Sequence, residues 1–217
     1  MSILVRDLRH SLRQLWKEKA FSLTVVFTLA ACVGANATIF SVIHKVLLAP
    51  LPYPDADQLV VVTNAYPGAG VPRASNSAPD YFFRRERIES FSAIAQYQGW
   101  GHTVGQEGGG TAREQTMRVS ASFLPLLGVR PVLGRLFAVE EMDEGNEQKV
   151  VLSHGFWQDR FAGDAGVIGR ELRVDGRPYE VIGVLPAGFT VPDGDQPRFY
   201  VPIPYSADDR TLENWHN

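Results

Sequence analysis

The longest apolar stretch of the chain lies near its N-terminus, where residues 20–43 include no charged side chain. As an α-helix, these residues would extend about 36 Å, at roughly 1.5 Å each. The hydrocarbon core of a bilayer is about 30 Å thick, so one tilted helix would cross it. Because apolar residues continue through Leu48, we predict a transmembrane helix over residues 20–48.

The residues before this span place leucines and basic side chains on opposite faces of a helix. One face carries Leu4, Leu8, Leu12 and Leu15, and the other carries Arg6, Arg9, Arg13 and Lys17. Such a helix lies in the membrane interface, with arginines near anionic headgroups and leucines near acyl chains. The pattern therefore predicts a basic amphipathic helix over residues 1–19 at the lipid membrane, in preference to a helix packed on protein.

Net charge differs between the two ends of the chain. Residues 1–19 hold five basic and two acidic side chains, a net charge of +3, whereas residues 20–217 hold 16 basic and 22 acidic side chains, a net charge of −6. Basic residues beside a membrane helix stay on its cytoplasmic side. We therefore predict a cytoplasmic N-terminus and a main domain outside the cytoplasmic membrane.

Two other interpretations of the apolar segment stay open, because secretory signals also join a basic start to an apolar run. Ala35-Asn36-Ala37 resembles a cleavage site, and Leu29-Ala30-Ala31-Cys32 resembles a lipoprotein box in which Cys32 would be lipidated. Either cleavage would leave an apolar new end, because the apolar run continues beyond both motifs. The retained helix is therefore the favoured interpretation.

Strand and helix patterns alternate after the span. Ser77 and Pro79 are typical of the start of a helix, and Gly128 is typical of the end of one. The patterns predict a βαββα order, made of a buried strand at residues 59–63, a helix at 81–87, strands at 92–104 and 112–119 around a glycine tip at 108–110, and a short helix at 122–127.

The C-terminal half continues with shorter elements. A strand at residues 149–152 precedes Ser153, which we predict to cap a helix that contains Phe156, Trp157 and Phe161 and is ended by Gly163. Asp175-Gly176 tolerates positive φ and is the strongest two-residue hairpin signal in the chain. It joins predicted strands at residues 170–174 and 179–184.

Strands separated by short helices, without regular βαβ crossovers, favour an α+β fold over a doubly wound sheet. Pro50, Pro52 and Pro54 are expected to end the membrane helix and to impose an extended exit. We therefore assign residues 49–217 to one mixed α+β domain. Cys32 is the single cysteine, so no intrachain disulfide can form.

The sequence predicts no catalytic, cofactor or metal site. A phosphate-binding P-loop needs a lysine directly after a glycine, and none of Lys17, Lys19, Lys45 and Lys149 has one. Two zinc-binding histidines on one helix face need a spacing of four. The five histidines lack that spacing and are expected to be exposed or satisfied by neighbours: His10, His44, His102, His154 and His216.

Three further patterns have structural explanations, which we prefer to catalytic, calcium-binding and nucleic-acid-binding roles. Adjacency does not align Ser153 and His154 as a nucleophile and base, so Ser153 is better explained as a helix cap. The spacing of Glu140, Glu141, Asp143, Glu144 and Glu147 departs from a calcium loop, and a solvated loop is expected. Arg84, Arg85 and Arg87 are expected to form a solvated helix face, because nucleic-acid binding would conflict with the acidic surroundings.

Two separated sets of residues are specific enough to indicate a family. Residues 27–43 (FTLAACVGANATIFSVI) and 47–54 (LLAPLPYP) form the first set. Residues 127–137 (LGVRPVLGRLF), 151–157 (VLSHGFW) and 175–186 (DGRPYEVIGVLP) form the second. The first set resembles the first membrane helix and exit of the MacB/FtsX-type ABC transporter permeases, and the second resembles their periplasmic core domain. Within that family, the likeness is greatest to large permeases of soil bacteria that often lack an adjacent ATPase gene.

The resemblance implies a non-enzymatic permease component of an ABC-type export or mechanotransmission system in the bacterial inner membrane. Its periplasmic domain would engage substrate, a second permease copy or an envelope adaptor. A separate cytoplasmic ABC ATPase would supply energy through three further membrane helices. No second apolar span occurs before Trp215-His216-Asn217, so we expect a truncated product whose domain is incomplete at its C-terminus.

A second function class stays open beside the permease. The chain could be a membrane-anchored extracytoplasmic binding module or a lipoprotein, without transport activity. An envelope hydrolase is a weaker third hypothesis. A downstream reading frame that encodes the further spans would distinguish the permease from the binding module.

Overall fold

The computed structural model describes residues 18–44, 53–105, 110–192 and 194–210. The chain divides into two compact units, Met1–Leu51 and Pro52–Asn217. An apolar helix lies in the first unit and a sheet-rich, mixed α+β arrangement forms the second. The predicted fold class is therefore confirmed.

The first unit contains helix α1, Lys19–Ile43, in which no residue is buried. Its 25 residues extend about 38 Å at roughly 1.5 Å each, enough for one membrane crossing. Within the described part of the chain it is the one helix long and apolar enough to span a membrane. Residues 1–17 of the amphipathic helix predicted over residues 1–19 lie outside the described residues. The predicted end of the span, residues 45–48, lies outside them as well.

The second unit begins with a two-stranded antiparallel sheet, β1 (Asn64–Tyr66) and β2 (Val71–Ala74), followed by helix α2 (Ala78–Arg87). The start of α2 is fixed by a capping box. Ser77 Oγ accepts a hydrogen bond from Asp80 N, and the Asp80 carboxylate accepts one from Ser77 N. The predicted cap is confirmed, and Pro79 lies in the first turn of the helix, as predicted.

The prediction of a buried strand at residues 59–63 is wrong. These residues belong to no strand, and their valines are exposed. β-branched composition favours extended backbone, but burial also requires a facing surface. No described element supplies that surface. The observed order is consequently ββαββα through residue 126.

Among the described residues, seven strands form the main sheet, in the order β5-β8-β6-β9-β4-β3-β7. Strand β7 pairs with β8 as well as with β3, so six of the strands close into a ring. The link between β3 and β7 is a single residue pair, Val104 with Val174. The strands are β3 (Tyr97–Gly105), β4 (Thr111–Val119), β5 (Leu133–Gly134), β6 (Lys149–Leu152), β7 (Glu171–Val174), β8 (Arg177–Val184) and β9 (Phe199–Pro202).

Two hairpins organise this sheet. Strands β3 and β4 pair continuously from Tyr97 with Val119 to Gly105 with Thr111, which confirms the predicted hairpin, while residues 106–109 of its tip lie outside the described residues. Strand β3 begins at Tyr97, so the predicted start at residue 92 is wrong. The preceding backbone is held instead by serines, because Ser120 Oγ accepts from Gln96 N and Ser122 Oγ donates to the Ile94 carbonyl.

The β7–β8 hairpin turns at the predicted dipeptide. Asp175 has φ 49° and Gly176 has φ 79°. Positive φ at both central residues is the requirement of a type I′ turn, whose twist matches that of the flanking strands. This prediction is confirmed.

Two short helices, α3 (Phe123–Leu126) and α4 (His154–Phe161), complete the unit. Ser153 Oγ accepts a hydrogen bond from Phe156 N at 3.2 Å, as predicted for a cap. Helix α4 ends at Phe161, and Ala162 at φ 51° and Gly163 at φ 70° follow it, in agreement with the predicted end at Gly163.

Apolar side chains form two clusters, one on each side of the sheet. The cluster inside the ring consists of Val104, Val150, Leu152, Phe156, Val167, Leu172, Val174, Val181, Val184, Phe199 and Val201. The outer cluster packs α2 and α3 against the sheet, and its sheet members are Met117, Val119, Val151, Ile182 and Tyr200. Strand β9 contributes to both clusters and is buried along its length.

Candidate functional site

Helix α1 satisfies its own polar side chains. Five of them donate a hydrogen bond to the carbonyl four residues earlier, at 2.8–2.9 Å: Thr24, Thr28, Asn36, Thr38 and Ser41. Hydrocarbon offers no water to replace such bonds, so a lipid-facing helix must satisfy polar groups internally. Each of these five side chains therefore has at least one donor satisfied within the helix, which is compatible with a lipid-facing position. Cys32 lies on it and is exposed.

In the second unit, Asp175 joins the β7–β8 turn to β3. Its backbone N–H donates to the Thr103 carbonyl, and its carboxylate accepts from Thr103 N, both at 2.8 Å. These two bonds lie beside the single strand pair that closes the ring. The dipeptide predicted only as a turn thus also has a role in ring closure.

His102 lies beside this closure and is buried. Its Nδ1 lies 2.6 Å from Thr116 Oγ1, and its Nε2 lies 3.8 Å from the Asp175 carboxylate. Burial lowers the pKa of His102; Asp175 raises it in part and Arg118 lowers it further. His102 is therefore a polar core group with hydrogen-bonding neighbours, in agreement with the prediction of satisfied histidines.

Ser153 and His154 are engaged separately. The Ser153 hydroxyl caps α4, and the His154 ring packs edge-on against Trp157, with centroids 5.4 Å apart. The described contacts give no hydrogen bond between these two side chains. Their arrangement accounts for helix structure without a nucleophile and base.

One residue of the acidic segment departs from the solvated loop that was predicted, whereas Glu140, Asp143 and Glu144 are exposed. Glu141 is 5% exposed, and its carboxylate accepts two bonds from Arg135, at 2.6 and 3.0 Å, and one from Ala138 N at 2.9 Å. Burial opposes its ionisation, but the bonds from Arg135 and Ala138 outweigh that effect and lower the pKa of Glu141. Asp143 pairs with Arg210. Among the described residues, no group of three histidine, cysteine or acidic side chains is arranged to hold a metal ion.

The arginine cluster of α2 is also only partly a solvated face. Arg84 donates to the side-chain oxygens of Asn76 and Asn64, each at 2.5 Å. Arg85 and Arg87 are exposed but lie over Phe82 and Phe83, at 5.3 and 5.7 Å from the ring centroids. Arg84 is therefore a structural link between α2, β1 and the segment before α2. Sequence alone offered no signal for it, because its partners lie 8 and 20 residues away.

The sequence profile of the MacB-like periplasmic core domain matches residues 22–216. The chain belongs to this family. The resemblance stated from the sequence is thereby confirmed, and membership indicates a component of an ABC-type transporter permease. None of the curated proteins matches the chain.

Three solved domains of ABC-type transporters and permeases are similar to parts of this MacB-like chain. The extracellular domain of the noncanonical ABC-type transporter YknZ from Gram-positive bacteria is 15% identical, with a TM-score of 0.46 over 57% of this chain and 61% of that one. The periplasmic region of MacB from Actinobacillus actinomycetemcomitans is 16% identical, with a TM-score of 0.46 over 71% and 66%. A domain of a permease protein from Porphyromonas gingivalis is 18% identical, with a TM-score of 0.44 over 62% and 55%. The MacB-like chain thus spans between 55% and 66% of these solved chains.

Proposed function

We propose that this chain is a non-enzymatic component of an ABC-type export or mechanotransmission permease. Residues 1–19 lie on the cytoplasmic face of the bacterial inner membrane, residues 20–48 cross it, and residues 49–217 form the periplasmic core domain. That domain engages a substrate, an envelope adaptor or a second permease copy. A separate cytoplasmic ABC ATPase supplies the energy, through membrane helices outside this chain.

One observation carries the proposal: the family match covers the apolar helix and the sheet-rich unit together, from residue 22 to residue 216. Five polar side chains of α1 donate a hydrogen bond within the helix, which supports retention in lipid. The net charge of +3 on residues 1–19 supports the cytoplasmic assignment of the N-terminus.

The absence of catalysis is part of the proposal and can be tested directly. Purified full chain in detergent is expected neither to bind nor to hydrolyse ATP, because no P-loop sequence is present. Ester and peptide hydrolysis should be absent as well. Hydrolysis that is lost in both Ser153→Ala and His154→Ala would establish an enzyme instead. The pair of variants is needed because Ser153→Ala also removes a helix cap, whereas His154→Ala keeps it.

Partner engagement is tested by photocrosslinking in intact cells. A photoreactive residue at exposed Glu144 or Arg177 is expected to capture a permease, an adaptor or a transported substrate. The same residue at buried Phe156 serves as the control and should capture none. Failure of both exposed positions to capture any envelope component would contradict the proposal.

The alternative is a membrane-anchored extracytoplasmic binding module or a lipoprotein, without transport activity. Mass spectrometry of membrane-extracted protein separates a retained helix from a lipoprotein or a cleaved signal. An intact, unacylated N-terminus supports the retained helix. A species that begins at lipidated Cys32, or at Thr38, would reject it.

A further inference from the structure

The inner face of the ring ends in an exposed tryptophan. Trp100 of β3 is 42% exposed, and the Arg118 guanidinium of β4 lies over its ring, 4.3 Å from the ring centroid. Side chains two residues apart on a strand share a face, so Trp100 lies on the same face of β3 as buried His102 and Val104. The Trp100–Arg118 pair therefore continues the inner face of the ring beyond its apolar core.

Arg118 is an exception among the half-buried arginines. The described residues include four of them: Arg84, Arg118, Arg160 and Arg198. Arg84 donates to asparagine side chains, Arg160 to a backbone carbonyl, and Arg198 pairs with two carboxylates. Arg118 has no hydrogen bond or ion pair to any described residue. Its N–H donors can therefore bind an external acceptor.

A tyrosine hydroxyl supplies a second donor near Arg118. Tyr179 of β8 packs half-buried against the ring core, and its hydroxyl has no hydrogen-bond partner in the described part of the chain. Burial raises the pKa of Tyr179, and the carboxylates of Glu147 and Asp175 raise it further. The cations Arg118 and Arg177 lower it in part. The phenol therefore stays neutral and can donate its O–H.

The two carboxylates that act on Tyr179 are held by backbone groups. Asp175 accepts from Thr103 N at 2.8 Å, and Glu147 accepts from Gly145 N at 2.6 Å. Neither carboxylate forms an ion pair with Arg118. The guanidinium thus keeps one positive charge without a direct counter-ion, and a singly charged anion is complementary to it.

We propose that Trp100, Arg118 and Tyr179 form a binding site for an aromatic carboxylate. The guanidinium and the phenol O–H would donate to the carboxylate, because the planar fork of arginine matches that group. The indole would stack on the ring of the ligand. The ends of β-barrels are frequent positions for small-molecule sites. The inference goes beyond the proposed function, because neither the membrane assignment nor partner capture depends on it.

The test titrates para-fluorophenylacetate into the purified full chain in detergent and follows the fluorine NMR signal of the ligand. Saturable binding is expected. The neutral isostere para-fluorophenylacetamide should bind about tenfold more weakly, because it lacks the charge that pairs with Arg118. Titration into empty micelles measures partition into detergent and is subtracted for both ligands.

Four variants assign the binding to the site. Arg118→Gln should weaken binding of the acid about tenfold through loss of a charge-assisted hydrogen bond. Tyr179→Phe, which removes only a hydroxyl, and Trp100→Leu, which removes the stacking surface, should each weaken it about fivefold. Arg130→Gln removes an exposed arginine elsewhere and is the matched control, with unchanged affinity. Urea unfolding midpoints show that each variant folds, and Tyr179→Phe decides the case if Arg118→Gln does not.

Three results would overturn the inference. They are equal affinity for the acid and the amide, no saturable binding beyond that of empty micelles, and equal affinity in Arg118→Gln and Arg130→Gln. Because photocrosslinking through Glu144 is measured without the carboxylate, any of these results would leave the proposed permease function standing.

Discussion

Helix α1 and the β-ring hold similar apolar side chains in opposite environments. Leu23 and Phe27 of α1 are exposed, whereas Val104, Val174 and Phe156 of the ring are fully enclosed. Polar groups differ in the same way, because α1 satisfies them within one helix while the ring joins residues distant in sequence, such as Thr103 and Asp175. Hydropathy alone therefore identifies both segments as apolar. The pattern of hydrogen bonds separates them, because a helix that could face lipid bonds within itself, whereas a packed core joins distant segments.

The largest expected effect comes from truncating the same residue type in the two regions. Phe156 packs inside the ring, 5.6 Å from Phe199 between ring centroids. Phe156→Ala should lower the unfolding free energy by about 3 to 5 kcal/mol, through lost burial and a cavity. Phe27→Ala should leave unfolding of the second unit unchanged. Urea unfolding of the full chain in detergent, followed by tryptophan fluorescence, measures both. Equal losses of unfolding free energy in Phe156→Ala and Phe27→Ala would contradict the difference between the two regions.

An added charge should impair α1 more than the second unit, whereas truncation of a phenylalanine should impair the second unit more than α1. Val33→Arg places a guanidinium near the middle of α1, which should cost roughly 2.5 to 3.5 kcal/mol on insertion scales. Val132→Arg, at a half-exposed site of the second unit, should be tolerated. The membrane-bound fraction after cell lysis measures insertion. Undiminished membrane binding of Val33→Arg would argue against a spanning helix.

The turn that closes the ring gives a smaller effect. Gly176→Val should destabilise the second unit by about 1 to 3 kcal/mol, because a β-branched residue is strained at positive φ. No atom lies within 4 Å of a Cβ added there, so backbone strain and not crowding would cause the loss. Gly176→Asn is the control, since asparagine tolerates this conformation. Equal midpoints for the two variants would refute the explanation.

These elements also show how far the sequence determines the structure. Asp175-Gly176 and Ser153 were predictable because a turn and a cap depend on neighbours only a few residues away. Helix α1 was predictable as a long apolar helix from an uninterrupted apolar run. The failure at residues 59–63 has the opposite origin, because burial of a strand depends on another surface that local composition does not specify.

The polar clusters could not be predicted for the same reason. The bonds of Arg84 and of Asp175 join segments that meet only after folding, and the buried position of Glu141 follows from Arg135. Strand β9 was missed although it is fully buried. Prolines flank its short apolar run, and proline usually argues against a central strand.

The smallest expected effect is a pH dependence of the ring closure. Burial lowers the pKa of His102 in the folded chain below its usual value of 6.5. At a pH between these two pKa values, the unfolded chain binds a proton at His102 that the folded chain does not. The contribution of neutral His102 to the unfolding free energy should be fully present above pH 6.5, and it should decline as the pH falls through the lowered pKa. Urea midpoints measured from pH 8 to pH 5 should show a steeper decline for the native chain than for His102→Gln. Parallel profiles of urea midpoint against pH for the two chains would show that His102 is not the source of the pH dependence.

The most direct test of the central claim is the sidedness of the full chain in intact cells. In a Cys32→Ser background, Glu144→Cys and Ser2→Cys provide one label site in each unit. With the outer membrane permeabilised, a membrane-impermeant maleimide should label Glu144→Cys at once and Ser2→Cys only after the inner membrane is disrupted. Labelling of Ser2→Cys alone, or of both sites before disruption, would contradict a cytoplasmic N-terminus joined through α1 to a periplasmic domain.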